Sequence, residues 1–268
     1  MTGIKSACKA AVPGSLLEAV RRRRATAPLR AIDLTAVEPI LATDLSLLGD
    51  VAYLEHQLLP LLGINGENLD ELPRHLHAHT GHGLRYWQYP AQLAPYLLHL
   101  ASLAPRSYLE LGVRHGGTFV LTTEYLGRVC RLERSVAVDL GAPPSILEYV
   151  AREPGRSFLQ VNSRAPEFAA FLEADGPFDI AFIDGDHSLE GVRRDVETMA
   201  PWARVLVLHD IASDDYPGPG AVWRQLRDEQ KDRWDFAEFV TQYDDVIELT
   251  GKRWMGIGVA SRRLPLGR

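Results

Sequence analysis

Two apolar runs in the second half of the chain each end in side chains that hold protons or metal ions. The residues that follow the runs are Asp184, Asp186 and His187 after residues 178–183, and His209 and Asp210 after residues 205–208. Neighbouring parallel strands place their carboxyl ends at one edge of a sheet, about 5 Å apart. If the two runs are neighbouring strands, Asp184 and Asp210 are therefore expected to share one cation.

Strand-like and helix-like segments alternate from Ala94 onward, which predicts a mostly parallel sheet covered by helices. The predicted strands are residues 107–111, 135–138, 157–161, 178–183 and 205–208, with two final strands near 236–241 and 254–259. The connection between the last two strands, around Thr250, Gly251 and Lys252, looks too short for a helical crossover between parallel strands. One terminal strand is therefore expected to be antiparallel at the edge of a seven-stranded α/β sheet.

The first part of the chain has a helical pattern instead. Apolar residues recur at three- and four-residue steps from Ser15 to Leu62, which predicts helices. The expected organisation is a helical amino-terminal extension over residues 1–93 and a second domain over residues 94–268. The basic run Arg21 to Arg24 is expected to be a solvated helix face.

Composition excludes several classes of partner. The chain has 268 residues, of which 46% are hydrophobic, with 29 basic and 35 acidic side chains. A mildly acidic protein is a poor match for nucleic acid or an anionic membrane, so a small-molecule partner is expected. Cys8 and Cys130 do not suggest a disulfide framework, and no apolar stretch is long enough to cross a bilayer or resembles a secretion signal. The predicted location is the cytoplasm.

The first predicted strand runs into a glycine-rich turn. Glu110 lies in the strand, Gly112 and Gly116 in the turn, and Thr118 at the start of the next helix. Glycines let the backbone approach a ligand, but Arg114 and the residue after it interrupt the dinucleotide pattern G-x-G-x-x-G. The alternative is a bare turn between strand and helix.

Polar side chains also follow the next two strands. Asp139, at the end of the second strand, suits a ribose diol because a carboxylate accepts two hydrogen bonds. Asn162 and Ser163 follow the third strand, where a polar side chain could meet an adenine ring. The alternatives are a helix cap or solvent-facing acid for Asp139 and capping by Ser163.

Together these residues resemble the class I S-adenosylmethionine-dependent methyltransferases, which carry an acid and a glycine-rich turn after the first strand. Arg114 replaces a glycine that is common in that pattern. Residues 110–118, 182–188 and 208–210, with Gly191 and Val192, further resemble the metal-dependent small-molecule O-methyltransferases. That branch includes macrocin and rhamnosyl O-methyltransferases and cephalosporin hydroxylase-like proteins. The resemblance covers roughly residues 88–260 and implies a Rossmann-like methyltransferase fold.

The resemblance also implies roles for individual residues. The implied cofactor-binding residues are Glu110, Gly112, Gly116, Thr118, Asp139, Asn162, Ser163 and Asp184. Asp184, His209 and Asp210 are implied as ligands of a magnesium or manganese ion, and His187 as the general base. His209 stands where related enzymes usually have an acid or an amide. A nitrogen ligand at this position favours manganese over magnesium. The alternative is that His209 contacts a ligand and does not bind the metal itself.

The predicted function is therefore divalent-metal-assisted transfer of a methyl group from S-adenosylmethionine to a hydroxyl of a small molecule. The implied acceptor is a sugar or a glycosylated natural product. Three alternatives stay open: an N-methyltransferase on an amino sugar, a nicotinamide-dependent oxidoreductase, and a cofactor-binding protein without catalysis. The protein is also expected to form a homo-oligomer, with the extension and the loop 214–220 shaping the acceptor pocket or an interface. Candidate acceptor contacts are Tyr86, Trp87, Tyr216 and Trp223, and the alternative for each is packing of the core or of a loop.

Overall fold

The structure is a computed structural model that describes residues 29–263. It contains one sheet whose strand order is β3-β2-β1-β4-β5-β7-β6. The strands are β1 (Ser107–Leu111), β2 (Arg134–Asp139), β3 (Arg156–Gln160), β4 (Phe178–Ile183), β5 (Ala203–Leu208), β6 (Trp234–Phe239) and β7 (Ile257–Arg262). Strands β1 to β5 pair in parallel, and β7 is antiparallel to both of its neighbours. The predicted Rossmann-like, mostly parallel sheet is confirmed.

The end of the sheet differs in detail from the sequence-based expectation. The antiparallel strand is β7, which lies one position inside the edge, and β6 forms the edge itself. The connection between them contains a seven-residue helix, α7 (Asp244–Thr250), but β6 and β7 pair antiparallel, so this connection is not a helical crossover and the expectation is confirmed. Gly251 ends this helix in a left-handed conformation, with φ at 68° and its N–H donating to the Ile247 carbonyl.

Six longer helices connect or flank the strands. They are α1 (Pro90–Ser102), α2 (Gly117–Cys130), α3 (Pro144–Arg152), α4 (Pro166–Asp175), α5 (Leu189–Met199) and α6 (Pro217–Glu229). Four of them begin at a proline. Proline suits the first helical position because the N–H of that residue would have no partner within the helix, so its absence costs nothing. Helix α6 takes in the second half of the loop predicted at residues 214–220.

Residues 29–89, called the extension below, consist of short helical segments and loops. The segments are Leu34–Val37, Glu38–Ala42, Leu45–Leu48, Val51–Tyr53, Leu54–Leu58, Leu59–Leu62, Leu69–Glu71 and Arg74–His79. The helical pattern predicted before residue 29, including Arg21 to Arg24, lies outside the described residues. The domain division at residue 93 stays a prediction.

The sheet has an apolar layer on each face. Leu109 and Leu111 of β1 face a layer built with helices α4, α5 and α6, while Tyr108 packs on the opposite face because neighbouring residues of a strand alternate in direction. The extension supplies much of that second layer, including the fully buried Leu62. Within residues 29–263, no helix has the length and apolar character needed to cross a membrane.

Candidate active site

Two imidazoles and two carboxylates meet at the carboxyl ends of β4 and β5. The two strands pair in parallel up to Ile183 and Leu208, so the residues that follow them become neighbours. These residues, called the strand-end cluster below, are Asp184, His187, His209 and Asp210. Nε2 of His187 lies 3.1 Å from Oδ1 of Asp184 and 3.2 Å from Oδ2 of Asp210. Nδ1 of His209 lies 3.1 Å from Oδ1 of Asp184 and 3.4 Å from Oδ1 of Asp210.

The carboxylates control the protonation of the two histidines. Burial disfavours the charged form of each imidazole, but the charges and hydrogen bonds of Asp184 and Asp210 outweigh it. The pKa of His209 is raised to about 9, and that of His187 is raised well above its ordinary value. Burial alone would raise the pKa of Asp184, but His209 and His187 more than offset it and hold that pKa below its usual range. The cluster therefore binds positive charge strongly.

Three of these residues lie close enough together to hold a metal ion. One potential ligand atom from each of Asp184, His187 and His209 lies within 4.8 Å of the other two. His209 is 6% exposed, and neither of its ring nitrogens makes a well-directed hydrogen bond with the described residues, despite the short contacts. Buried polar atoms of this kind normally have a partner. A donor set of imidazole nitrogens and carboxylate oxygens suits a divalent transition ion such as manganese better than magnesium.

Asp210 is held in an unusual backbone conformation. Its φ is 59°, in the left-handed region that non-glycine residues seldom occupy. The segment after it is fixed by the chain before β7, because the N–H groups of Ile211 and Ala212 donate to the carbonyls of Gly256 and Met255. This pairing stabilises the turn that directs Asp210 toward the histidines. Strained residues held in this way are common at functional sites.

His187 is packed between the start of α6 and the carboxylates. The ring centroids of His187 and Tyr216 are 4.9 Å apart, with the planes tilted. A side chain at Gly218 would place its Cβ 2.4 Å from the His187 carbonyl oxygen, so the glycine allows α6 to approach. The residues predicted as a covering loop thus position this histidine. The Ser188 hydroxyl caps helix α5 by accepting the N–H of Gly191.

The turn after β1, residues 112–117, lies against the same edge of the sheet and is called the glycine turn below. At Gly112, φ is 86° and an added Cβ would lie 2.4 Å from the carbonyl oxygen of Asp184. Glycine is therefore required for the turn to meet the end of β4. Arg114 also has a positive φ, 46°, and its N–H donates to Oδ2 of Asp139 at 2.8 Å.

Two acids flank the glycine turn. Oδ1 of Asp139 accepts the N–H of Gly141 at 2.9 Å, so each carboxylate oxygen holds one backbone donor and retains capacity for another. Glu110, which is 1% exposed, accepts a hydrogen bond from the Tyr108 hydroxyl. Burial raises the pKa of Glu110 to about 8, and the nearby Asp184 charge adds to that effect. Glu110 is thus mainly protonated at neutral pH.

The other predicted cofactor contacts are engaged within the protein. Oγ1 of Thr118 accepts the N–H of Trp87 at 3.4 Å, and Oδ1 of Asn162 accepts the N–H of Arg164 at 2.9 Å. Ser163 donates to the buried Asp195 at 2.6 Å. These hydrogen bonds fix the loops after β1 and β3. Gly116 is the N-cap residue that directly precedes helix α2, and its φ is 95°.

Sequence reasoning missed the link between the extension and the glycine turn. The Glu67 carboxylate accepts a hydrogen bond from Arg114 at 2.7 Å and lies 2.7 Å from Nε2 of His115. His115 is 3% exposed, and the Arg114 guanidinium lies 5.2 Å from the ring centroid of Trp87. The departure of these two residues from the glycine pattern was a signal that something else contacts them. Nothing in the sequence around Glu67 identifies it as that partner.

The four aromatic candidates for acceptor contact divide into two pairs. Tyr216 and Trp87 lie beside His187 and Arg114, respectively. Tyr86 is fully buried, and Trp223 is 2% exposed with its indole N–H bonded to Glu238. The second pair therefore packs the core.

Residues 109–211 match the model of a family described as a methyltransferase domain. The matched stretch begins in β1, ends after β5, and contains both the glycine turn and the strand-end cluster. The predicted enzyme class, an S-adenosylmethionine-dependent methyltransferase, is confirmed by this match.

The chain is also similar to solved structures at low sequence identity. An O-methyltransferase from Bacillus cereus in complex with SAH is 15% identical, with 85% of this chain and 96% of that chain covered and a TM-score of 0.47. Cofactor-bound Rv0187 from MTB is 18% identical, with coverages of 93% and 97% and a TM-score of 0.47. The MycE methyltransferase of the mycinamycin pathway, in complex with Mg and SAH, is 18% identical, with coverages of 67% and 50% and a TM-score of 0.45. No curated protein matches the chain.

Proposed function

We propose that the protein is a divalent-cation-assisted O-methyltransferase that transfers the methyl group of S-adenosylmethionine to a hydroxyl of a small molecule. The observation that carries this proposal is the strand-end cluster. Its two imidazoles and two carboxylates meet beside a glycine turn, inside the stretch that matches a methyltransferase domain. Proton transfer and cation binding are the two functions that such a set of groups serves best.

The residues around the glycine turn fit the proposed cofactor. Asp139 retains hydrogen-bonding capacity on both carboxylate oxygens, which is what a ribose diol requires. Gly112 and Gly116 keep the turn free of side chains at its two ends. Glu110 and Asp184, with Thr118, Asn162 and Ser163, complete the proposed cofactor-binding set.

Asp184, His209 and Asp210 are the proposed ligands of the cation. The buried ring nitrogens of His209 support this assignment, because neither makes a well-directed hydrogen bond with the described residues. The cofactor supplies an electrophilic methyl group, and the cation supplies positive charge that favours ionisation of a hydroxyl. A positive charge bound by the carboxylates removes the main reason for the raised pKa of His187. His187 is then free to take a proton at Nε2.

The remaining roles belong to the chain itself. Tyr216 and the start of α6 hold the imidazole of His187 in place. The pairing of Ile211 and Ala212 with the chain before β7 fixes Asp210. Such positioning contributes to rate because each group is already placed before the acceptor arrives.

The proposed acceptor is a sugar or a glycosylated natural product. Hydroxyls of this class are weak acids, so they gain more from a neighbouring cation and base than a phenol does. Homo-oligomer formation and a cytoplasmic location remain predictions from the sequence.

The cofactor is tested by titrating S-adenosylhomocysteine into the purified chain in a calorimeter. We expect saturable one-site binding both in buffer with manganese and in buffer with a chelator. Absence of binding in both buffers would contradict the proposed cofactor.

The cation is tested separately, by electron paramagnetic resonance titration of Mn²⁺. We expect Asp184→Asn to weaken Mn²⁺ binding at least tenfold, because it removes a charged ligand. The matched control is Asp235→Asn, since Asp235 pairs with Arg263 at the edge of the sheet. Equal Mn²⁺ affinity of both variants would contradict the metal site.

A further inference from the structure

The glycine turn carries two large polar side chains, at Arg114 and His115, and the proposed cofactor and cation sites use neither. Arg114 has a φ of 46°, a left-handed conformation that disfavours residues with a side chain. His115 is 3% exposed, so its imidazole is almost fully buried. A strained residue and a buried polar ring persist only where surrounding groups hold them. The turn therefore depends on contacts from outside it.

The protonation of His115 follows from its two hydrogen bonds. Nδ1 of His115 accepts the N–H of Arg30 at 3.0 Å, so this nitrogen carries no proton. Burial lowers the pKa of His115 and outweighs the opposing effect of Glu67, so the ring is neutral at pH 7. A neutral imidazole has one N–H. That N–H is therefore on Nε2, and it donates to Oε1 of Glu67 at 2.7 Å.

Glu67 holds both side chains at once. Its second carboxylate oxygen, Oε2, accepts a hydrogen bond from Nη2 of Arg114 at 2.7 Å. Burial opposes the ionisation of Glu67, but the hydrogen bonds from His115 and Arg114 outweigh it and lower the pKa of this carboxyl. Glu67 is therefore an anion with one donor on each oxygen. Hydrogen bonds to a charged acceptor are the stronger class, so Glu67 is well suited to fix the turn.

The position of Glu67 is itself fixed within the extension. Its N–H donates to Oδ1 of Asn65 at 2.8 Å, and Asn65 is 4% exposed. The N–H of Asn65 donates in turn to the carbonyl of Tyr86 at 2.8 Å. The carboxylate therefore approaches the glycine turn from a backbone that cannot move away without breaking these hydrogen bonds.

The contacts reach two residues that are proposed to bind the cofactor. The N–H of Arg114 donates to Oδ2 of Asp139 at 2.8 Å. Trp87 of the extension donates its N–H to Oγ1 of Thr118 at 3.4 Å, and its ring centroid lies 5.2 Å from the Arg114 guanidinium. The extension thus contacts the Arg114 side chain through Glu67 and Trp87, and the Arg114 backbone holds the proposed ribose acid.

We propose that Glu67 is a positioning residue for the cofactor, which holds Arg114 and thereby keeps Asp139 in the orientation that receives a ribose diol. This role rests on the proposed methyltransferase function, in which Asp139 binds the ribose. A turn that is fixed before the cofactor arrives loses less conformational freedom on binding, so the cofactor binds more tightly. Affinity for the cofactor then depends on a residue of the extension.

The test is a calorimetric titration of S-adenosylhomocysteine into the purified chain and its variants. Glu67→Ala removes both acceptor oxygens, and we expect it to weaken binding at least about tenfold. Glu67→Gln has nearly the same shape and keeps one acceptor oxygen, so we expect a smaller loss, of at least about threefold. The matched control is Glu38→Ala, at an exposed glutamate of the extension, which should bind like the wild type.

A double-mutant cycle separates positioning from a general loss of structure. Arg114→Gly removes the side chain that Glu67 holds, and glycine adopts a left-handed conformation without strain. Because Glu67 acts through Arg114, Glu67→Ala should weaken binding less than about twofold in the Arg114→Gly background. A general loss of structure would instead cost the same affinity in both backgrounds.

Two results would overturn the role of Glu67. In the first, Glu67→Ala and Glu67→Gln both bind like Glu38→Ala; in the second, Glu67→Ala costs the same affinity with and without the Arg114 side chain. The wild type binds S-adenosylhomocysteine in both cases, so the proposed function stands. Absence of binding by the wild type would contradict the proposed function itself, and the role of Glu67 with it.

Discussion

Glu110 illustrates how burial changes the chemistry of a single side chain. Its carboxyl is enclosed beside Tyr108, and burial raises its pKa from an ordinary 4.5 to about 8. The unfolded chain therefore releases this proton near pH 4.5, and the folded chain releases it near pH 8. The stabilisation from a protonated Glu110 is complete below pH 4.5, decreases through this window, and levels off above pH 8.

We predict that Glu110→Gln flattens the pH dependence of stability. A glutamine oxygen still accepts the Tyr108 hydroxyl but cannot ionise, so the free energy of unfolding should lose a slope of up to about 1.4 kcal/mol per pH unit. Urea unfolding at several pH values across this window measures the effect. The matched control is Glu173→Gln, at an exposed position on α4. Parallel curves for wild type and Glu110→Gln would show that Glu110 is ionised in the folded protein.

The positions of the candidate site's side chains could be predicted only where a local sequence pattern indicated them. The acids and histidines of the strand-end cluster directly follow apolar runs, and parallel pairing of β4 and β5 brings them together. Glu67 and His115 meet across 48 residues of sequence, and no periodicity encodes that contact. The packing of the extension decides which of its acids reaches the glycine turn.

At the scale of elements, prediction succeeded best for buried strands. Strands β1 and β4 have the predicted bounds because each is a mainly apolar segment that ends at a turn or a charged residue. The start of helix α6 was missed, because Pro217 was assigned to the loop 214–220 and is instead the first residue of the helix. Helix α7 was missed because a seven-residue helix is too short to show a clear period.

The join between β1 and β4 depends on one glycine, and we predict that Gly112→Ala disrupts it. The added Cβ would lie 2.4 Å from the Asp184 carbonyl oxygen at a φ of 86°. The strain displaces the end of β4, so we expect a lower melting temperature and at least tenfold weaker binding of S-adenosylhomocysteine. Both are measured on the same preparation, by calorimetry.

Gly127 supplies the control, because no atom lies within 4 Å of a Cβ added there on helix α2. Gly127→Ala should leave cofactor binding unchanged and stabilise the helix by about 0.5–1 kcal/mol. If Gly112→Ala behaves like Gly127→Ala, the turn is not in close contact with β4.

At the scale of the molecule, the extension and the sheet share one apolar layer. Buried residues of the extension and of strands β1, β4 and β5 belong to the same cluster. The backbones of the two parts are also in close contact. A side chain at Gly117, at the start of α2, would collide with the carbonyl oxygen of Leu84 in the extension. We therefore expect residues 29–263 to unfold as a single cooperative unit.

Two adjacent leucines of the extension test this expectation. Leu62 is 0% exposed within the shared layer, and Leu61 is 60% exposed. Leu62→Ala should lower the free energy of unfolding of the whole chain by about 2–5 kcal/mol, because it leaves a cavity in the layer. Leu61→Ala should change it by less than about 0.5 kcal/mol. Urea unfolding followed by circular dichroism, which reports the sheet and helices, should show one transition displaced only by Leu62→Ala. Two transitions, of which Leu62→Ala moves only the first, would instead mean that residues 1–93 fold as a separate domain.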